Sequence, residues 1–189
     1  MSQTLTNNDK KILIFQRFTD FGKKVKLRKK EFFAKQGVEI DSVGYVKKGG
    51  FKLVYQNKKK EWIKSFLFEG SLLGSIPSIL DHKPSTYSII AIESSEVLVL
   101  PAKDFKATFK MDTLYKDFLI QLLTSLYLKK EKRVSDFLLF EANERYKVFL
   151  EEFSENSSRI SQIDQAAYLG ITNVALSRIK KKFFADNPQ

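Results

Sequence analysis

Cysteine is absent from this 189-residue chain. That excludes disulfides, thiolate metal sites and iron–sulfur clusters. There is a single histidine, His82, which cannot build a histidine-rich metal centre alone and reads as a loop residue. No apolar run approaches the roughly 18–20 residues of a membrane-spanning helix. The opening MSQTLTNNDKK lacks the basic flank and apolar stretch of a secretory signal. The expectation is a cytoplasmic protein with no membrane contact. Nor is there a nucleophile–base pattern: Glu69, Asp81 and Glu93 are carboxylates that nothing marks for catalysis. No enzymatic activity, no metal and no required cofactor are expected.

What the chain does contain is apolar residues, at 43%, and positive charge, at a formal +11. The first implies a folded core. The second is unevenly spread. Residues 22–60 hold 13 Lys and Arg against 3 Asp and Glu, residues 61–156 sum to −3, and residues 157–189 to +3. A basic excess near each end attracts polyanions, nucleic acid first among them, although a solvated lysine-rich surface gives the same count.

Residues 1–21 read as a short amphipathic helix, with Ile12, Leu13, Phe15 and Phe18 near one side. Residues 22–101 alternate in short runs. In GYVKKGGFKLVYQ, Phe51, Leu53 and Tyr55 alternate with Lys52, Val54 and Gln56, and Gly49-Gly50 sits where a tight turn needs positive φ. EWIKSFLF, YSIIAIES and EVLVLP continue the pattern, which predicts an antiparallel sandwich or barrel. Pro101 closes this region, and PAKDF begins a helix, with Asp104 near its positive end.

No Gly or Pro interrupts residues 102–169. From about Met111 to Phe140 the period is helical. Leu114, Phe118, Leu122, Ser125 and Lys129 form one stripe; Leu119, Leu123, Leu126 and Tyr127 form a second. A helix apolar on two sides is expected to pack on the barrel with one and on a second copy of the chain with the other. Asn143 is a candidate cap for a further helix, ERYKVFLEEF, and SENSS follows as a polar hinge.

The last segment, RISQIDQAAYLGITNVALSRIKKK, reads as two helices around a glycine. Ser161 caps the first, Gly170 ends it in a left-handed turn, and Thr172 caps the second. Small Ala166 permits close approach. Leu169, Ile171, Leu176 and Ile179 face inward. Thr172, Asn173, Val174, Ser177, Arg178 and Lys181 are left outward. Such a helix suits a DNA major groove: Asn can pair with adenine, Arg with guanine, and Val can touch a thymine methyl. Lys180, Lys181 and Lys182 suit phosphates. An ordinary helical hairpin with a cationic end fits the same pattern.

With these residues in view, the chain resembles the cyclic-AMP receptor protein / fumarate–nitrate regulator (Crp/Fnr) family of bacterial transcription factors over roughly residues 10–183. The resemblance rests on AAYLGIT…LSRIKKK and on EGSLLGSIPSIL…PSTYSIIAIESSEVLVL, with ERYKVFL as a further likeness. It implies an α+β chain: an antiparallel β-roll of the cyclic-nucleotide-binding jelly-roll type (1–110), a long dimerisation helix (111–140) and a helix-turn-helix domain (141–189). It also implies a homodimer on a pseudo-palindromic duplex site, with RNA polymerase as a further partner. The tentative effector pocket falls on Gly74, Ser75, Ser85 and Thr86.

This chain departs from the family pattern in several places. The Gly-Glu pair for a ribose reads Gly74-Ser75, and the Arg-Ser pair for a phosphate reads Pro84-Ser85. Losing that cation removes a strong charge-assisted contact and argues against cyclic AMP, leaving another small effector or none. The cysteines of the iron–sulfur branch are missing. Asn173-Val174 stands where many members carry Arg-Glu or Pro-Glu, while Arg178 keeps the second base-reading position, so a different operator is expected. Gln165 replaces an aliphatic residue under the turn, and little chain follows Phe184 for a β-wing. The alternative is a ligand-binding or interaction module that has lost specific DNA binding.

Overall fold

The computed structural model describes residues 7–58, 60–111 and 113–186. Residues 1–6 of the expected first helix lie outside the described residues, as does the Leu114 side chain. The first helix, α1, is Asn7–Phe21. Ile14 and Phe18, one turn apart, anchor it in the core, while Ile12 and Phe15 remain substantially exposed. The inward stripe is therefore rotated from the expected one; Phe15 covers Tyr45 instead, with ring centres 5.3 Å apart.

Eight strands follow: β1 (Lys23–Leu27), β2 (Phe32–Ala34), β3 (Ser42–Lys48), β4 (Phe51–Gln56), β5 (Glu61–Leu67), β6 (Leu72–Leu73), β7 (Ser88–Ala91) and β8 (Ser95–Pro101). They form two antiparallel sheets, ordered β1-β8-β3-β6 and β2-β7-β4-β5. The turn at Gly49-Gly50 is not a hairpin within one sheet. It carries the chain from the first sheet to the second, and the Ser/Glu turn between β7 and β8 carries it back from the second to the first. This crossing makes the structure a jelly roll and not a meander. Gly49 takes φ +101°, and a Cβ there would sit 2.6 Å from the Ser95 Cβ. Between the sheets lie Val46, Phe51, Leu53, Leu73, Ile89 and Val97.

α2 (Ile76–Asp81) closes against the roll, with His82 as its left-handed C-cap at φ 56°. Pro101 ends β8, and α3 (Ala102–Met111) begins at the next residue, as expected. α3 and α1 cover the outer face of the first sheet. α4 (Thr113–Leu139) lays Tyr115, Phe118 and Leu119 against that same cluster. Farther along, Ile120, Tyr127, Val134 and Leu138 lie exposed at spacings of seven, seven and four, an unpartnered coiled-coil-like seam.

α5 (Ala142–Glu152) starts earlier than expected. Its cap is Glu141 and not Asn143, because Glu141 and Glu144 form a capping box, with Glu144 accepting from the Glu141 N–H at 2.8 Å. The SENSS stretch is a set of turns leading into a 3-10 helix, Ser157–Arg159. α6 (Gln162–Leu169) and α7 (Asn173–Asp186) complete the chain.

These terminal helices share one hydrophobic core with the roll. Ile63 and Phe66 of β5, with Phe68 and Ile92, pack among Tyr146, Phe149, Phe153, Tyr168 and Leu169. The second sheet is thus buried on both faces at β4–β5. Val54, expected outward, is buried because it shares a face with Ile63. Arg159 fixes the register of this contact. It forks onto Glu69 at 2.8 Å from each of two nitrogens, bonds Glu93 through Nε at 3.0 Å and through Nη2, and lies 4.8 Å over the Phe68 ring. Lys52 on β4 meets Asp164 on α6 at 2.6 Å. Arg133 of α4 donates to the carbonyls of both Ile63 and Tyr168, at 3.2 and 2.8 Å.

The Arg159 guanidinium, chiefly through its hydrogen bonds, holds Glu69 down to about pKa 2 against an ordinary 4.5. A depressed carboxylate contributes stability above its unfolded pKa and loses it as pH falls toward the folded one. Arg159→Ala should therefore cost about 1–2 kcal/mol at pH 7. It should also flatten the fall in melting temperature between pH 4.5 and 2, as read by calorimetry across pH.

Candidate nucleic-acid interface

The last two helices are built as their sequence requires. Ser161 Oγ accepts from the Asp164 N–H at 3.1 Å, and Thr172 Oγ1 from the Ala175 N–H at 3.1 Å, so both N-termini are capped by side chains. Gly170 takes φ +70°, and its N–H bonds the Ala166 carbonyl. Any side chain there would meet a second obstacle, since a Cβ would lie 2.6 Å from Phe137 Cζ at the end of α4. Ala166, Leu169 and Leu176 are buried, and Ile171 and Ile179 pack beside them.

That packing leaves Thr172, Asn173, Val174, Ser177, Arg178 and Lys181 exposed on one helix, with Val174 at 62%. Lys182 is exposed as well; Lys180 is half-buried, and burial lowers its pKa. A face of small hydrogen-bonding groups with an arginine and a run of ammonium groups can pair with base edges and phosphates of duplex DNA.

Gln165, which stands where the resemblance puts an aliphatic residue under the turn, ties the turn together. It is buried, and Nε2 donates to the Ser157 and Ile160 carbonyls at 3.0 and 2.8 Å, stitching the 3-10 turn to α6. Its Oε1 remains buried without a partner. Sequence reasoning missed Arg159, hidden in a polar stretch. It noted Glu69 and Glu93 only as unmarked carboxylates, and they prove to be the acids that Arg159 clamps. Asp81 pairs with Lys83 at 3.3 Å, and His82 Nδ1 lies 3.0 Å from Glu39.

Within the roll, Gly74, Ser75 and Ser85 gather around Tyr87, while Thr86 is exposed. The Tyr87 hydroxyl donates to the Gly74 carbonyl at 2.8 Å, and Ser85 Oγ donates to the Tyr87 carbonyl at 2.7 Å. Ser75 Oγ is buried beside the phenol without a well-formed hydrogen bond of its own. Burial pushes the Tyr87 phenol up to about pKa 12, and the ring meets Tyr55 edge-on at 6.1 Å. Gly74 and Ser85, which the resemblance offers for a ribose and a cyclic phosphate, are thus bonded to the chain's own Tyr87. Pro84 stands where the phosphate needs a cation. These residues do not fit a cyclic nucleotide.

Residues 24–112 match the model of the cyclic nucleotide-binding domain family. No curated protein sequence matches the chain. Among solved structures, FixK2 from Bradyrhizobium japonicum superposes with a TM-score of 0.79 at 19% identity, covering 87% of this chain and 85% of that one. The c-di-GMP-responsive global regulator CLP of Xanthomonas campestris gives 0.72 at 15% identity, with 93% and 92% covered. A Crp/Fnr-family transcriptional regulator from Eubacterium rectale gives 0.70 at 16%, with 96% and 85% covered. At these identities the likeness is one of fold. The chain is thus similar over residues 24–112 to the cyclic nucleotide-binding domain family, and it has the overall fold of the Crp/Fnr regulator structures.

Proposed function

We propose that this protein is a homodimeric transcription regulator that reads a pseudo-palindromic duplex site through α7 and works without cyclic AMP. The observation that carries the reading is the exposed face of Asn173, Ser177 and Arg178, mounted on a capped helix pair fixed to the body of the molecule. The Crp/Fnr fold supports it, and so does the exposed seam of Ile120, Tyr127, Val134 and Leu138. That seam suits a parallel pairing of two α4 helices. A pair so joined would set two α7 helices into successive major grooves about 34 Å apart. Thr172, Asn173, Val174, Ser177 and Arg178 would face base edges, and Lys180 and Lys181 the phosphates. Such a regulator would act in the cytoplasm, with RNA polymerase as its further partner. The Tyr87-filled roll supports an effector other than cyclic AMP, or none.

Selection from a random duplex pool, followed by anisotropy titration at several salt concentrations, tests this directly. A specific site should emerge, and its affinity should fall steeply with salt as phosphate contacts release counterions. Arg178→Ala should cost about 1–3 kcal/mol and relax one base position, whereas Lys181→Ala should weaken all sequences alike. Absence of any preferred sequence would make the chain an interaction module and not a regulator.

Val134→Asp combined with Leu138→Asp should give monomers in sedimentation velocity. Its affinity for the full site should drop to that for a half-site. Wild-type chains sedimenting as monomers at every concentration would remove the dimer.

A further inference from the structure

The exposed apolar residues of α4 fill only part of its seam. Ile120, Tyr127 and Val134 recur every seven positions, and Leu138 follows Val134 by four. A coiled-coil seam alternates steps of four and three. Its remaining positions, four after Ile120 and four after Tyr127, are therefore Thr124 and Glu131, both exposed. Glu131 thus sets a carboxylate between Tyr127 and Val134, in the middle of an apolar stripe. It is also the single acid within residues 129–133. Among the described residues, no cation pairs with Glu131 and no carboxylate with Lys130. Nor does α4 offer a partner one turn away. Three and four positions from Glu131 stand Tyr127, Leu128, Val134 and Ser135; from Lys130, Leu126, Tyr127, Arg133 and Val134. Lys132 is committed to Asp136 at 2.7 Å. Lys129 and Arg133, two positions from Glu131 on either side, lie across the helix. Arg133 is bonded there to the Ile63 and Tyr168 carbonyls, so Glu131 points away from the body of its own chain.

We propose that Glu131 of each copy pairs with Lys130 of the other, and that this exchanged pair of charges sets the register of the two α4 helices. The inference rests on the reading of the chain as a homodimer through α4 and adds what aligns it. In a parallel pair, the residue just before a seam position stands beside that position on the facing helix. Lys130 of the second copy therefore comes to Glu131, and two-fold symmetry forms the reverse contact as well. The apolar residues do not fix this alignment by themselves, because they repeat at the interval by which the helices could slip. A slip of one heptad would set Glu131 beside Leu123 or Phe137 of the second copy. That leaves a carboxylate taken out of water with no partner, the costly case for a charge at an interface. A polar residue at one seam position gives up some stability and specifies register in return.

Charge reversal in the full chain, read by sedimentation across a concentration series, tests the pairing. Glu131→Lys sets Lys130 of the other copy against a second cation, and Lys130→Glu sets Glu131 against a second acid. Each should weaken dimerisation about tenfold or more. Both positions are exposed, so neither change disturbs the fold of the single chain. The double reversal, Lys130→Glu with Glu131→Lys, should recover the wild-type affinity. An equimolar mixture of the two single variants should recover it too, as a heterodimer in which one chain supplies both cations and the other both acids. The chain has no cysteine, so Leu138→Cys reports register: aligned helices bring the two thiols within about 7 Å between Cα atoms, and mild oxidation should link them. Single reversals without effect on the dimer, no recovery in either the double variant or the mixture, or a dimer that Leu138→Cys does not link would each overturn the proposal. A monomeric wild-type chain would remove the dimer and this pairing together; a wild-type dimer indifferent to the reversals would remove the pairing alone.

Discussion

The placement of α7 depends on the contact between the outer face of β5 and the helices that follow α4. Ile63 and Phe66 from the roll, with Phe153 and Tyr168 from the terminal helices, form a single buried cluster. Burying aromatic and branched side chains of this size is worth about 1.5–3 kcal/mol each, enough to hold two units together but not to choose how they meet. Apolar surfaces slide. Direction comes from Arg159, which engages two acids on two different loops of the roll, and from the Lys52–Asp164 ion pair between β4 and α6. Arg133 ties both sides to α4 through backbone carbonyls. α7 is therefore mounted at a defined angle to the long helix.

Much of this was legible in the sequence because it is local. The Ser161 cap, the Gly170 turn and the Thr172 cap each need only residues a few positions apart, and all three form as expected. Strand alternation located the roll, and helical periodicity located α4. What stayed hidden is non-local. Arg159 reaches Glu69 across 90 positions, and no spacing rule connects them. Val54 reads as an outward residue of an amphipathic strand, and it becomes buried only because another part of the chain covers that face. Gln165 reads as a defect under the turn, since its use is to satisfy carbonyls in a 3-10 helix that the sequence does not announce.

The roll teaches the same lesson about function. Gly74, Ser75 and Ser85 are the positions that the resemblance proposes for a ligand, and in the structure their surroundings depend on Tyr87, which reads simply as the start of a β-branched run. In the fold its hydroxyl crosses to Gly74, 13 residues away, and its carbonyl takes up Ser85. The buried phenol satisfies the Gly74 carbonyl and the Tyr87 backbone carbonyl satisfies the Ser85 hydroxyl. Such internal satisfaction is what buried polar atoms require in any closed structure. It leaves the Gly74 carbonyl and the Ser85 hydroxyl paired, while Ser75 Oγ stays buried without a partner.

These two findings meet on β5. Ile63 and Phe66 press on the terminal helices from one face of the strand, and the bulged residue between them, Lys64, turns toward Tyr87 and α4. For anything bound to the roll to bias α7, it must bind two arrangements of this strand unequally; equal affinity would shift nothing. The dense packing around Phe66 and Tyr168 resists gradual deformation, so any second arrangement must be a discrete repacking of that cluster. Arg159 must then either move with β5 or let go of Glu69, which makes the fork the natural boundary between the two states.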